Sequence, residues 1–185
     1  MNPDARINLE QVSILLLDGA VGMSVLAQIF GGFGARKLYK CTTFDEAKAV
    51  LKDSEIDLVV LNDEVDGTPG HEVVRWLRRL DGNVNAFASV ILVGGHVRRS
   101  QVQLTRDCGA NFLMAKPLSP RMVLERVVWV SREKRPFVGT DTYAGPDRRF
   151  HIPSERENLG RRRGDGLSPV DAANPLLPLI GDAKT

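Results

Sequence analysis

The chain is 185 residues long, 43% apolar and 26% charged, with a formal net charge of +2 and a pI near 8.7. That length suits one ordinary domain of ~100 to 150 residues with an appendage, and the composition excludes a fibrous fold and disorder throughout. So small a net charge makes nucleic acid an unexpected partner, and no apolar run approaches the ~18 residues of a spanning helix. The start Met1-Asn2-Pro3-Asp4 has no basic region ahead of an apolar stretch, so a cytoplasmic protein without membrane contact is expected.

In chain order, apolar runs of strand length alternate with amphipathic stretches, the rhythm of βαβ units and a parallel sheet covered on both faces. Strands are expected over residues 12–17, 37–41, 57–61, 89–93 and 112–115. The second is the least apolar and reads as an edge strand. Helices are expected over 21–30, ending in Gly31-Gly32; over 44–51, capped by Thr43; and over 72–80, with Val73, Val74 and Leu77 on one face. A fourth runs from near Ser100 and stops before Gly109, and the fifth opens on Ser119-Pro120 and stripes Val123, Val127 and Val130. Cys41 and Cys108 sit in apolar segments without metal-ligand spacing and read as packed thiols. Regular structure is expected to end near Lys134.

From Pro136 onward the composition changes: six of the ten prolines fall here, among glycines and arginines with no sustained period. The organisation expected is an N-terminal extension over 1–10, a domain over 11–134 and a basic, largely irregular tail over 135–185.

In a doubly wound sheet the carboxyl ends of the strands carry the function. Those ends are Asp18-Gly19, Asn62-Asp63-Glu64, Gly94-Gly95 and Lys116-Pro117. A carboxylate after the first strand, acids after the third and a lysine after the fifth are the ingredients of a Mg²⁺ and phosphoryl site.

The segments ILLLDG, DLVVLNDEVDGTPG and GANFLMAKPLSP, in that order, resemble the CheY-like receiver domains of two-component response regulators over roughly residues 10–133. The resemblance implies an α/β, flavodoxin-like fold with a five-stranded parallel sheet in the order 2-1-3-4-5 and helices on both faces. It also implies a degenerate site. Asp18 matches the first metal-binding acid, but Gly19 replaces the second, so Mg²⁺ binding is expected to be weak or absent and no cofactor is expected. The acceptor aspartate falls on Asn62, with Gly70 eight residues on supporting the register, and an amide cannot form the acyl phosphate. Gly94 stands where the family has a Ser or Thr, and Leu113 where it has an aromatic switch residue. Lys116 is kept and is expected to pair with Asp18. Asp63 is an alternative acceptor, but if the strand continues its side chain points to the opposite face.

A scaffold kept without its chemistry points to recognition. In the family the face of helix four, strand five and helix five docks partners or forms dimers, and here it would include Arg98, Arg99, Arg106, Leu113, Arg121, Arg126 and the aromatic anchor Trp129. In the tail, eight Lys or Arg against four acids between Lys134 and Arg163 make a moderate basic patch. Arg148, Arg149, Arg161, Arg162 and Arg163 are candidate anion or nucleotide ligands, with Tyr143 and Phe150 flanking the first pair. The segment NPLLPLIGD is apolar within a polar tail, suited either to docking back on the domain or to a partner's groove.

The leading expectation is therefore a phosphorylation-independent receiver that acts as a protein-interaction module in signal transduction, with a histidine kinase, regulator or output protein as partner and homodimerisation as a further option. A cyclic di-GMP effector that uses the tail arginines is one alternative, and an atypical phospho-receiver that uses Asp63 is another. No enzyme is expected. The chain has no glycine-rich phosphate loop, and His71, His96 and His151 are scattered without metal-ligand intervals.

Overall fold

The computed structural model describes residues 8–95, 99–133 and 135–148. Its strands β1 (Ser13–Leu17), β2 (Lys37–Cys41), β3 (Leu58–Asn62), β6 (Ser89–Gly94) and β7 (Phe112–Ala115) form one parallel sheet in the order β2-β1-β3-β6-β7. Counted among these five strands alone, that is the expected order 2-1-3-4-5. β2 is indeed an edge strand and the apolar β3 is central. Two short strands, β4 (Glu64–Val65) and β5 (Thr68–Pro69), make a small antiparallel hairpin after β3.

Alternate residues of the buried strands feed two cores, one on each face. Ile14, Leu16, Val60, Ile91 and Val93 pack against α1 (Ala20–Gly32) and α5 (Pro120–Ser131), where Leu26, Phe30, Val123, Val127 and Val130 are fully buried. Leu15, Leu17, Val59, Leu61 and Leu92 face the other way, toward α2 (Phe44–Asp53) and α3 (Gly70–Arg78). Cys41 and Cys108 lie in this second core, and burial pushes the Cys41 thiol up to about 11 and the Cys108 thiol upward. Two helices start as their sequences dictate. Thr43 and Glu46 make a reciprocal capping box on α2, and Ser119 caps α5 with Pro120 in the first turn. α4 (Arg99–Cys108) ends before Gly109, which takes a positive φ of 91°.

The expectation that regular structure ends near Lys134 is corrected. Beyond it, β8 (Phe137–Gly139) and β9 (Ala144–Pro146) form an antiparallel hairpin closed by Thr140 and Tyr143. Its anchor is Arg78, a buried side chain that the sequence reading passed over as part of a helix. Arg78 donates to the carbonyls of Gly109, Ala86 and Ala88 at 2.9, 2.7 and 2.7 Å and to Asn111 Oδ1 at 3.1 Å. Its guanidinium also lies under the Phe137 ring, 5.4 Å from the centroid, and Phe137 meets Phe87 edge-on at 4.8 Å. Burial lowers the Arg78 pKa to about 10, so the group stays charged at neutral pH.

The hairpin seats by close backbone approach. A side chain on Gly145 would put its Cβ 2.6 Å from Gly109 Cα, and one on Gly109 would meet the Ala144 carbonyl. Residues of the expected tail thus pack against the sheet domain through Gly109 and Arg78.

Candidate functional site

The carboxyl ends of β1, β3, β6 and β7 bring Asp18, Asn62, Gly94 and Lys116 to one edge of the sheet, as the parallel register requires. Asp18 is 95% buried at its side chain. Its Oδ1 accepts the Gly19 amide at 2.7 Å, and its Oδ2 lies 3.5 Å from Lys116 Nζ. The carboxylate also lies over Gly22 of α1, where any side chain would collide with it. That glycine has a clear role, which the sequence reading missed.

The shorter contact of Lys116 is with Asn62. Lys116 Nζ donates to Asn62 Oδ1 at 3.0 Å, while Asn62 Nδ2 donates to the Glu64 carbonyl at 2.9 Å. Asparagine thus uses both ends of its amide, an acceptor toward the lysine and a donor toward the loop. An aspartate could supply only the first. The expected Asp18–Lys116 pair is present, but as one arm of a three-residue arrangement centred on Lys116.

Asp63, the next residue, makes contacts of its own at this edge. β3 ends at Asn62, and the Asp63 amide donates to the Val93 carbonyl. Its carboxylate rests against Gly94, where an added Cβ would lie 3.1 Å from Oδ2. It borders a cavity of about 280 Å³ shared with His71, Leu92, Gln101 and Leu113. This is the side toward α4. Gly94 and Leu113, the two positions where the resemblance has a hydroxyl and an aromatic ring, both border that space or the carboxylate beside it.

The residues at this edge do not fit Mg²⁺. The ion takes about six oxygens in octahedral geometry and favours several charged ones. The oxygens of this hydrogen-bonded arrangement are the Asp18 carboxylate, the Asn62 amide oxygen and the Glu64 main-chain carbonyl, of which the first alone is charged. Each is already held by a nitrogen: the Gly19 amide, the Lys116 ammonium or the Asn62 amide. The ammonium supplies the positive charge that balances Asp18. Among the described residues, no group of three or more His, Cys, Asp or Glu could hold a metal ion.

The second region of interest is the face of α4, β7 and α5. It carries an open groove of about 1040 Å³ whose lining includes Val102, Ala110, Phe112, Leu113, Val128 and Trp129. Trp129 is 46% exposed and meets Phe112 edge-on at 5.4 Å, and Val102 and Leu104 are also exposed. Of the arginines expected here, Arg106 lines the groove and reaches Asp107 at 3.4 Å. Arg121 pairs with Glu125, and Arg126 stacks on Phe112 at 4.9 Å. Arg99 opens α4, and Arg98 lies outside the described residues.

Of the tail arginines, Arg148 is engaged in structure. It bonds Asp107 Oδ1 at 2.6 Å and stacks on Tyr143 at 4.2 Å, and Tyr143 in turn donates its hydroxyl to the Pro146 carbonyl at 2.6 Å. Tyr143, expected to flank the arginine pair, is therefore stacked on by Arg148 itself. Arg149, Phe150, Arg161, Arg162, Arg163 and the NPLLPLIGD segment lie outside the described residues.

No protein-family model matches the chain, and no curated protein matches it. Solved structures do. The receiver domain protein (CheY-like) of Methanospirillum hungatei superposes with a TM-score of 0.56 at 20% identity, over 64% of this chain and 91% of that one. Chemotaxis protein CheY4 of Vibrio cholerae gives 0.60 at 17% identity, over 64% and 98%. The non-phosphorylated HemR receiver domain of Leptospira biflexa gives 0.57 at 19% identity, over 68% and 98%. The chain therefore has the CheY-like receiver fold, and the likeness spans nearly the whole of each of those three proteins. No helix among the described residues is long and apolar enough to cross a membrane.

Proposed function

We propose that the protein is a phosphorylation-independent receiver that works in signal transduction by binding another protein, and that it is not an enzyme. The observation that carries this reading is the Asn62 amide bridging Lys116 and the Glu64 carbonyl at the acceptor position. The place of the reactive carboxylate is taken by a neutral group that is a poor nucleophile. The charge of the lysine is matched by Asp18, and its ammonium joins the loops. The exposed aromatic and aliphatic side chains around Trp129 supply a surface suited to a protein partner.

An atypical phospho-receiver using Asp63 has less support, because the Asp63 carboxylate lies against Gly94 while Lys116 is bonded to Asn62. A cyclic dinucleotide effector also has less support, because Arg148 is committed to Asp107 and Tyr143. Beryllofluoride with Mg²⁺, titrated into the labelled full-length protein and followed by amide spectra, tests the proposal. No shift at Asn62, Asp63, Gly94 or Lys116 is expected, and saturable shifts there would overturn it.

A further inference from the structure

We propose that the groove between α4 and α5 is the seat of the chain's own segment Pro175–Ile180, which covers Trp129 in the resting protein. Three observations support this occupant. First, the groove is apolar at its floor and lacks a cover among the described residues: Phe112 and Val128 are only partly buried, and Trp129 and Val102 are 46% and 48% exposed. Second, the described chain ends at the groove's rim. Arg148 is bonded to Asp107, whose neighbour Arg106 lines the groove, and Glu133 and Arg135 line it next to the hairpin. The 26 residues that separate Arg148 from Pro175 can span up to about 85 Å when extended, so reach imposes no limit.

Third, the segment suits an aromatic-walled groove. Pro175-Leu176-Leu177-Pro178-Leu179-Ile180 places two prolines three residues apart, one turn of the polyproline II helix. That conformation is partly ordered before binding and stacks its prolines on exposed tryptophan. The segment is flanked by Asp171 and Asp182, and no Lys or Arg occurs from Gly164 to Ala183. The lining residues of the groove include three arginines, Arg106, Arg132 and Arg135, against two glutamates, Glu125 and Glu133. The docked segment would occupy the face given above to a partner. Only that regulatory consequence rests on the receiver reading; the docking itself does not.

The test labels the full-length chain with 5-fluorotryptophan, which gives one fluorine resonance for Trp76 and one for Trp129, assigned with Trp129→Phe. Leu176→Asp/Leu177→Asp in the full-length chain is expected to shift the Trp129 resonance toward its solvent-exposed position and to leave Trp76 unmoved. A synthetic peptide of residues 172–183, added to that variant, is expected to restore the shift. A Trp129 resonance unmoved by the substitutions overturns the proposal. So does a shift that disappears on dilution together with a dimer in sedimentation velocity, since the occupant would then be a second copy. Neither outcome bears on whether Asn62 accepts a phosphoryl group, so failure here is distinguishable from failure of the proposed function.

Discussion

Lys116 Nζ lies 3.0 Å from Asn62 Oδ1 and 3.5 Å from Asp18 Oδ2, so one ammonium ties the ends of β1, β3 and β7 together. The Asp18 carboxylate is nearly buried and depends on that charge for compensation. Lys116→Met should therefore leave both partners short of a donor and destabilise the domain by about 1–3 kcal/mol, the cost of an unpaired buried polar group reduced for the exposed part of the lysine. Urea unfolding measures it. The loss should be smaller in the Asp18→Asn background, because the neutral partner has less to lose.

Asn62→Asp removes the donor to the Glu64 carbonyl and sets a second carboxylate beside Asp18, facing a single lysine. At neutral pH without divalent ions the variant should lose about 1–2 kcal/mol, from the lost hydrogen bond and like-charge repulsion. Mg²⁺ should then raise its melting temperature by binding the native state, and should leave the parent protein's unchanged. Equal responses of the two proteins would mean that the parent already binds the ion.

Arg78→Met should be among the most damaging single changes. It strips donors from three buried carbonyls and Asn111 Oδ1, an effect of about 3–5 kcal/mol by analogy with removing one member of a buried charged network. Arg78→Lys should not rescue it, because a single ammonium cannot reproduce the planar fork. Because the arginine's lowered value of about 10 still lies above neutrality, the loss should be constant across the neutral range. Hydrogen exchange should show the 137–146 hairpin losing protection first.

The Arg148 hydrogen bond, and then the charges of Arg106 and Arg148, hold the Asp107 carboxyl below its ordinary 3.8. A carboxyl lowered in the folded state stabilises above its unfolded value and loses that contribution as pH falls through the folded one. Acidification below about pH 4 should therefore release Arg148 from the end of α4. Tyr143 ring resonances, which report the stacked guanidinium, should follow this titration, and Asp107→Asn should abolish the pH-dependent change.

The sheet was legible in the sequence because buried parallel strands read as continuous apolar runs, as in Ile14–Leu17 and Leu58–Leu61, and because capping residues such as Thr43 and Ser119 mark helix starts. Element ends moved by a residue or two, where hydrogen bonding rather than pattern decides. The convergence of Asp18, Asn62 and Lys116 followed from strand order once the register was assigned. The dual use of the Asn62 amide could not be read, since it depends on where the Glu64 carbonyl turns. The hairpin was hidden for a different reason. Its strands are three residues long and contain Gly139, Gly145 and Pro146, so neither period nor propensity distinguishes them from a loop. Their stability comes from Arg78, Gly109 and Asp107, residues 28 to 68 positions away in the sequence. Arg78 itself looks like one more polar residue on a helix, and its burial is a tertiary fact.

The most direct test of the account is the intact mass of the full-length protein after incubation with acetyl phosphate and Mg²⁺, with Asn62→Asp and Asp63→Asn alongside. No phosphoryl adduct on the parent protein is predicted, because Asn62 cannot form the acyl phosphate and Lys116 is bonded to Asn62 and Asp18. A hydroxylamine-sensitive adduct on the parent that disappears in Asp63→Asn would contradict the account and make Asp63 the acceptor.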